Sequence, residues 1–126
     1  MKVLAVVEDD ADVRGLIRMI FRKAPEFGVA DEIESAEEAL EKLKATHDTG
    51  LIVLDHGLTG VLTGIEAAPL FKKIVPQAKI ILFTADSNLK DRAASEPAID
   101  AFLIKTNVAQ LLPTARRLCG FASPSE

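Results

Sequence analysis

Residues 51–55 read Leu51-Ile52-Val53-Leu54-Asp55: four consecutive branched apolar side chains closed by a carboxylate. An unbroken apolar run this short, without alternation, fits a parallel strand buried on both faces. The pattern recurs in both directions along the chain. Upstream, Val3-Leu4-Ala5-Val6-Val7 runs into Glu8-Asp9-Asp10. Downstream, Ile80-Ile81-Leu82-Phe83 runs into Thr84, and Ala101-Phe102-Leu103-Ile104 runs into Lys105. A fifth, weaker run, Val29–Ile33, contains Asp31 and Glu32 and reads as an edge strand.

Helical spacing fills the gaps. Val13, Leu16, Ile17, Ile20 and Phe21 recur at three and four residues, with Asp10 or Asp12 placed to cap them. Ser35-Ala36-Glu37-Glu38 has the form of a capping box ahead of Ala39, Leu40 and Leu43. Ile65–Val75 predicts a third helix stopped by Pro76, and Asn88–Ser95 a short fourth ended by Pro97. Val108–Cys119 predicts a fifth closed by Gly120, with Pro113 bending or restarting it. Strand and helix alternate five times. That order gives an α/β fold: a doubly wound five-stranded parallel sheet with helices on both faces and right-handed crossovers.

Composition narrows the function. The chain has 126 residues, enough for one domain, with 48% hydrophobic and 27% charged residues, a globular balance. A single cysteine, Cys119, excludes an internal disulfide and a Cys-rich zinc module. The longest apolar run is far short of the ~20 residues of a membrane helix, and no secretory leader opens the chain. The net charge of −4 argues against direct nucleic-acid binding. A soluble cytoplasmic domain over residues 1–120, followed by a short tail at 121–126, is the expectation.

In an open parallel sheet the strands' carboxyl ends lie along one edge, where ligands bind. Here that edge collects Glu8, Asp9, Asp55, Thr84 and Lys105. The three acids are hard oxygen ligands suited to Mg2+, and crowded carboxylates gain from a divalent cation. A lysine and a hydroxyl suit phosphoryl oxygens, and a carboxylate can itself be the nucleophile, forming an aspartyl phosphate.

Together, Val6-Val7-Glu8-Asp9-Asp10, Leu51–Asp55, Phe83-Thr84-Ala85 and Phe102–Lys105 resemble the conserved blocks of the response-regulator receiver domain, the CheY-like family of two-component signalling. One block is a weak signal; four in order, one per strand end, are a strong one. The likeness spans residues 2–119. It implies the flavodoxin-like strand order 2-1-3-4-5. It implies that Asp55 accepts a phosphoryl group from a histidine kinase or histidine phosphotransfer protein. It implies Mg2+ held by Asp9 directly, by Glu8 mostly through water, by Asp55 and by the backbone carbonyl of Gly57. Thr84 and Lys105 would bind phosphoryl oxygens, Ala85 would keep the approach open, and Phe102 would be the aromatic switch. Such a domain is a signalling module with weak phosphorylation chemistry rather than a classical enzyme. Its partner would be a separate downstream protein, docked on the fourth helix, fifth strand and fifth helix, with no nucleic acid and no membrane insertion.

Two departures from the family carry expectations of their own. Relatives show Asp-x-x-Met/Leu-Pro-x-x-x-Gly; here the run is Asp55-His56-Gly57-Leu58-Thr59-Gly60-Val61-Leu62-Thr63-Gly64. The proline is absent and the last glycine comes one position late, which predicts a longer, more mobile loop. Thr106, not proline, follows Lys105. A cis non-proline peptide costs ~2.5–4 kcal/mol, so that bond is expected to be trans, with the resting place of Lys105 open to change. The short spacing from Thr84 to Lys105 predicts a truncated fourth helix.

Other residues read as ordinary. His47 and His56 are expected in exposed loops, Asp86 as a loop charge near the acceptor, and Cys119 as a small buried hydrophobe. Arg14, Arg18, Arg22 and Lys23 form a solvated helix face or one turned towards a kinase. The competing function is a degenerate receiver, a phosphorylation-independent interaction module. A haloacid-dehalogenase-type phosphatase needs a second Asp where Gly57 stands. Nucleotide-binding glycine motifs are absent, and no Trp or Tyr is present to stack on a flavin.

Overall fold

The five apolar runs become the strands of one parallel sheet in a computed structural model, which describes residues 2–121. In chain order the elements are β1 (Lys2–Val7), α1 (Ala11–Arg22), β2 (Phe27–Ile33), α2 (Ala36–Thr46), β3 (Thr49–Leu54), α3 (Gly64–Ile74), β4 (Lys79–Thr84), α4 (Lys90–Ala94), β5 (Ala101–Ile104) and α5 (Leu111–Leu118). The strand order is β2-β1-β3-β4-β5, with every neighbouring pair parallel. This is the order that the family likeness implies, and the weak, acid-bearing run is an edge strand. β3 lies at the centre and all six of its residues are buried.

Side chains alternate between two cores. Val7, Ile52, Leu54, Ile80 and Leu82 pack under α2, α3 and α4, with Phe71 as the largest helix contribution. Leu4, Val6, Leu51, Val53, Ile81 and Phe83 pack under α1 and α5, against Ile17, Phe21, Leu111 and Ala115. Burial on both faces explains why these strands read as continuous apolar runs. Each fully buried Leu or Ile contributes roughly 1.5–3 kcal/mol, so Leu82→Ala would open a costly cavity on β4, beside the central strand.

The helix ends differ from expectation in detail. Asp10 caps α1, its carboxylate accepting from the Asp12 amide at 2.9 Å. At Ser35 only the hydroxyl half of a box forms, with the Glu38 amide at 3.2 Å. The reciprocal box is at Thr63 and Glu66, where the hydroxyl meets the Glu66 amide and the Glu66 carboxylate accepts from the Thr63 amide at 3.0 Å. Both late helices open with a 3-10 turn, Ser87–Leu89 before α4 and Val108–Gln110 before α5. α4 is one short helix of 5 residues, as the spacing predicts. Pro113 is tolerated because it stands in the first turn of α5, where amides have no partner inside the helix. Phe121, counted with the tail, sets its ring edge-on to Phe27 with centroids 5.5 Å apart. The rest of that tail, 122–126, lies outside the described residues.

Candidate phosphoacceptor and metal site

The sheet ladder runs one residue past each strand and so fixes the site. The Glu8 amide donates to Ile33 O at 2.8 Å, the Asp55 amide to Val7 O at 2.9 Å, and the Lys105 amide to Thr84 O at 2.8 Å. Three backbone bonds thus aim three functional side chains, from the ends of β1, β3 and β5, at one space. Arg14, read from sequence as part of a solvated face, instead donates to the Glu8 carbonyl at 2.7 Å. Arg18 stays on the solvated face, as expected, and pairs there with Glu32 at 2.7 Å.

Glu8, Asp55 and Thr84 are buried, whereas Asp9 is exposed. One carboxylate oxygen from each of Glu8, Asp9 and Asp55 lies within 4.8 Å of the others. The Lys105 ammonium bridges two of them, 2.7 Å from Glu8 Oε1 and 3.1 Å from Asp55 Oδ2. Three carboxylates therefore face a single resident cation. Burial pushes the Glu8 carboxyl up to about 7, helped by the Asp55 charge and opposed by Lys105 and the Asp10 amide. Lys105 is pulled down by burial, but the bond to Glu8 and the charges of Asp55 and Glu8 outweigh it and leave the ammonium raised. The ammonium therefore stays charged, and the excess negative charge is shared among the acids.

This donor set fits Mg2+. All three side chains offer hard oxygens, and Glu8 Oε1 is closed off from water with the Lys105 ammonium 2.7 Å away as its partner. A divalent ion would offset the burial that raises Glu8. Gly57 follows in an exposed bend two residues after Asp55.

Thr84 ends β4 with its hydroxyl accepting from the Asp86 amide at 3.3 Å, and Ala85 beyond it is exposed. Asp86 is an exposed loop charge, as expected, and its carboxylate also caps the next turn at the Asn88 amide, 2.9 Å away. Phe102 pairs in register with Leu82, two residues before the Thr84–Ile104 pair, so Thr84 and Phe102 share one sheet face. Phe102 is half-buried beside Ala93 and Ala94 of α4. Among the described residues no peptide is cis, so the Lys105–Thr106 bond is trans, as expected. The lysine still reaches both acids.

Two expectations fail near the acceptor. His56 is not an exposed loop residue. It is half-buried, its Nδ1 accepts from the Ile65 amide at 3.4 Å, and burial, followed by the charge of Arg92, holds its pKa below the ordinary histidine value. His47 is exposed, as expected, and closes α2 in the left-handed conformation. The loop after Asp55 is not loose either. Thr59 Oγ1 donates to Glu34 O at 2.9 Å, Ser35 and Thr59 form a parallel bridge, and Glu37 accepts from the Val61 and Leu62 amides. Gly64, the glycine that comes late, is where α3 starts against the acceptor: a Cβ there would stand 2.1 Å from the Asp55 carbonyl oxygen.

The model of the response regulator receiver domain family matches residues 4–116, nearly the whole described chain. This chain is a response-regulator receiver domain. The receiver is 31% identical over 105 residues to the chemotaxis protein CheY of Halobacterium salinarum, covering 82% of this chain and 84% of that protein. It is 36% identical over 104 residues to the sensory transduction protein LytR of Staphylococcus haemolyticus, covering 82% of this chain but only 39% of that longer protein. The receiver also superimposes on the response regulator TrrA of Thermotoga maritima, solved in complex with Mg2+–BeF. The TM-score is 0.82 at 30% identity, over 94% of this chain and 99% of that one. The response regulator domain of Thermotoga maritima CheB shares the fold, with a TM-score of 0.82 at 20% identity over 98% of this chain and 99% of that one.

Within the receiver, the strand-end residues singled out from sequence are brought together: Glu8, Asp9, Asp55 and Lys105 meet directly, and Thr84 closes the adjoining strand. Arg14 and Glu37 were not singled out as site residues. The Glu37 bonds reach across the fold and the Arg14 bond spans the β1–α1 turn, and neither spacing nor periodicity marks them. No helix among the described residues is long and apolar enough to cross a membrane.

Proposed function

We propose that the receiver accepts a phosphoryl group on Asp55 from a phosphohistidine of a histidine kinase or phosphotransfer protein, and passes the signal to a downstream protein. The observation that carries this is the Lys105 ammonium bridging Glu8 and Asp55, with Asp9 beside them, at the carboxyl edge of the sheet. An Asp55 carboxylate oxygen attacks phosphorus, the P–N bond breaks, and the imidazole leaves with its electron pair. Mg2+, held by Glu8, Asp9, Asp55 and the Gly57 carbonyl, would neutralise charge on the transferred group. Lys105 contributes the second cation, already charged and in place. The exposed Ala85 leaves the approach to Asp55 open. The intact acids, hydroxyl and lysine favour this over a phosphorylation-independent module.

The phosphoryl group on Asp55 would draw the Thr84 hydroxyl from the Asp86 amide, and Phe102, on the same sheet face, would fill the space released. That couples the acidic pocket to a docking surface on α4, β5 and α5 through a two-state element. The downstream partner must prefer the phosphorylated state, since a ligand shifts the balance only by its differential affinity. This reading belongs to a cytoplasmic domain spanning residues 1–120, with only weak phosphorylation chemistry of its own. The test is chemical-shift mapping with Mg2+ and beryllofluoride. Shifts at Asp55, Thr84 and Lys105 that extend to Phe102, α4 and α5 are expected. Shifts confined to the acidic loops would overturn the proposed output surface.

A further inference from the structure

We infer that Glu37, on the first turn of α2, is a positioning residue for phosphoryl transfer: its carboxylate straps down the loop that carries Gly57 from Asp55 to α3. The inference rests on the phosphoacceptor reading above. Glu37 Oε2 accepts from two consecutive amides, Val61 at 3.1 Å and Leu62 at 2.9 Å. Two amides on one carboxylate make a charge-assisted anchor, stronger than neutral bonds. The first turn of a helix also favours a negative side chain. The bond from Leu62, followed by the other amides, holds the Glu37 carboxyl below the ordinary range, so it stays ionised at neutral pH.

The loop is shaped to receive this side chain. Gly60 has φ +98, a left-handed conformation that suits glycine, and a Cβ there would stand 2.5 Å from Glu37 Oε1. Leu58 and Leu62 lean on the core under α2 and α3, but Val61 between them is 89% exposed, so hydrogen bonds set the backbone at the tip. At the base, the His56 carbonyl accepts from the Leu58 amide at 3.1 Å and the Gly64 amide at 3.0 Å. At the tip, Glu37 closes the loop. Gly57 lies between these two fixed points. The proline usual in relatives is missing here, so the strap supplies a constraint that the loop's own sequence lacks.

The strap is tested by following phosphorylation with acetyl phosphate against Mg2+ concentration. Glu37→Ala is expected to raise the Mg2+ concentration for half-maximal rate about tenfold, the usual effect of removing support behind a metal site, while the rate at saturating Mg2+ stays within about twofold. Glu37→Gln keeps an acceptor oxygen and should recover most of the affinity. Gly60→Ala pushes on the strap from the other side, should give the same shift, and decides the matter if Glu37→Ala does not fold. A purely structural role would lower the melting temperature and leave the Mg2+ half-point unchanged. Folded variants with the wild-type half-point would therefore overturn the inference alone. A wild-type protein that gains no phosphoryl group would overturn the phosphoacceptor reading and this inference with it.

Discussion

Gly64→Ala should destabilise the receiver and disturb its site, although alanine is ordinarily the better helix residue. The added Cβ would lie 2.1 Å from the Asp55 carbonyl oxygen and 3.0 Å from the His56 Cα, both backbone atoms that cannot swing aside. Carbon and carbonyl oxygen rest at roughly 3.3–3.6 Å, so α3 and the end of β3 must part by about 1.2 Å. Overpacking of this kind costs about 1–3 kcal/mol. The bond from the Gly64 amide to His56 O, 3.0 Å long, stretches with it, at about 1 kcal/mol. A less flexible unfolded chain returns about 0.4–1 kcal/mol. The net loss is about 2 kcal/mol, or roughly 1 M in the urea midpoint. Gly15→Ala is the control. It lies within α1 with nothing within 4 Å of the added carbon, and should gain about 0.5–1 kcal/mol. Urea unfolding of both variants, with Mg2+ titration of each, makes the comparison. A Gly64→Ala protein within about 0.5 kcal/mol of wild type, with unaltered Mg2+ binding, would refute the close approach of α3 to the acceptor strand.

Glu8 sets a pH dependence. Its folded pKa of about 7 stands above the ordinary 4.5, so the folded state holds the extra proton between those values, and stability falls as pH rises through 7. With metal chelated, wild type should lose more melting temperature than Glu8→Gln between about pH 5.5 and pH 8, and Mg2+ should narrow that gap. Equal losses in the two proteins would contradict the buried carboxyl. Lys105→Met removes the ammonium that lies 2.7 Å and 3.1 Å from two of the proposed metal ligands. Mg2+ should then bind more tightly while phosphoryl transfer slows; weaker Mg2+ binding in a titration would contradict competition between the two cations.

What the sequence reveals of this receiver follows from which interactions are local. β1, β3 and β4 are buried on both faces, so each is written as an unbroken apolar run, and the polar residue just past the run marks the functional edge. Strand order does not follow from those runs; the four family blocks supply it. Bonds between distant segments leave no such mark. The Glu37 strap joins residues 25 apart, whose nearness depends on α2 and the β3–α3 loop meeting at one sheet edge. The Thr63-x-x-Glu66 spacing does carry the signal of the α3 cap, which fixes one end of that loop. Gly64 shows how far a motif reaches. Counted from Asp55 it stands one place late, yet it is the residue that lets α3 begin against the acceptor. Asn88–Ser95 and Val108–Cys119 read as continuous helices because periodicity does not separate a 3-10 opening turn from the α-helix that follows it.

The central claim is that Asp55 is the phosphoacceptor, and intact-mass spectrometry after incubation with acetyl phosphate and Mg2+ tests it most directly. The wild-type chain should gain one phosphoryl group that is lost at alkaline pH, fail to gain it when Mg2+ is chelated, and fail again as Asp55→Asn. Full, Mg2+-dependent gain by Asp55→Asn would contradict the account, because the carboxylate held by Lys105 between β1 and β4 would then not be the nucleophile.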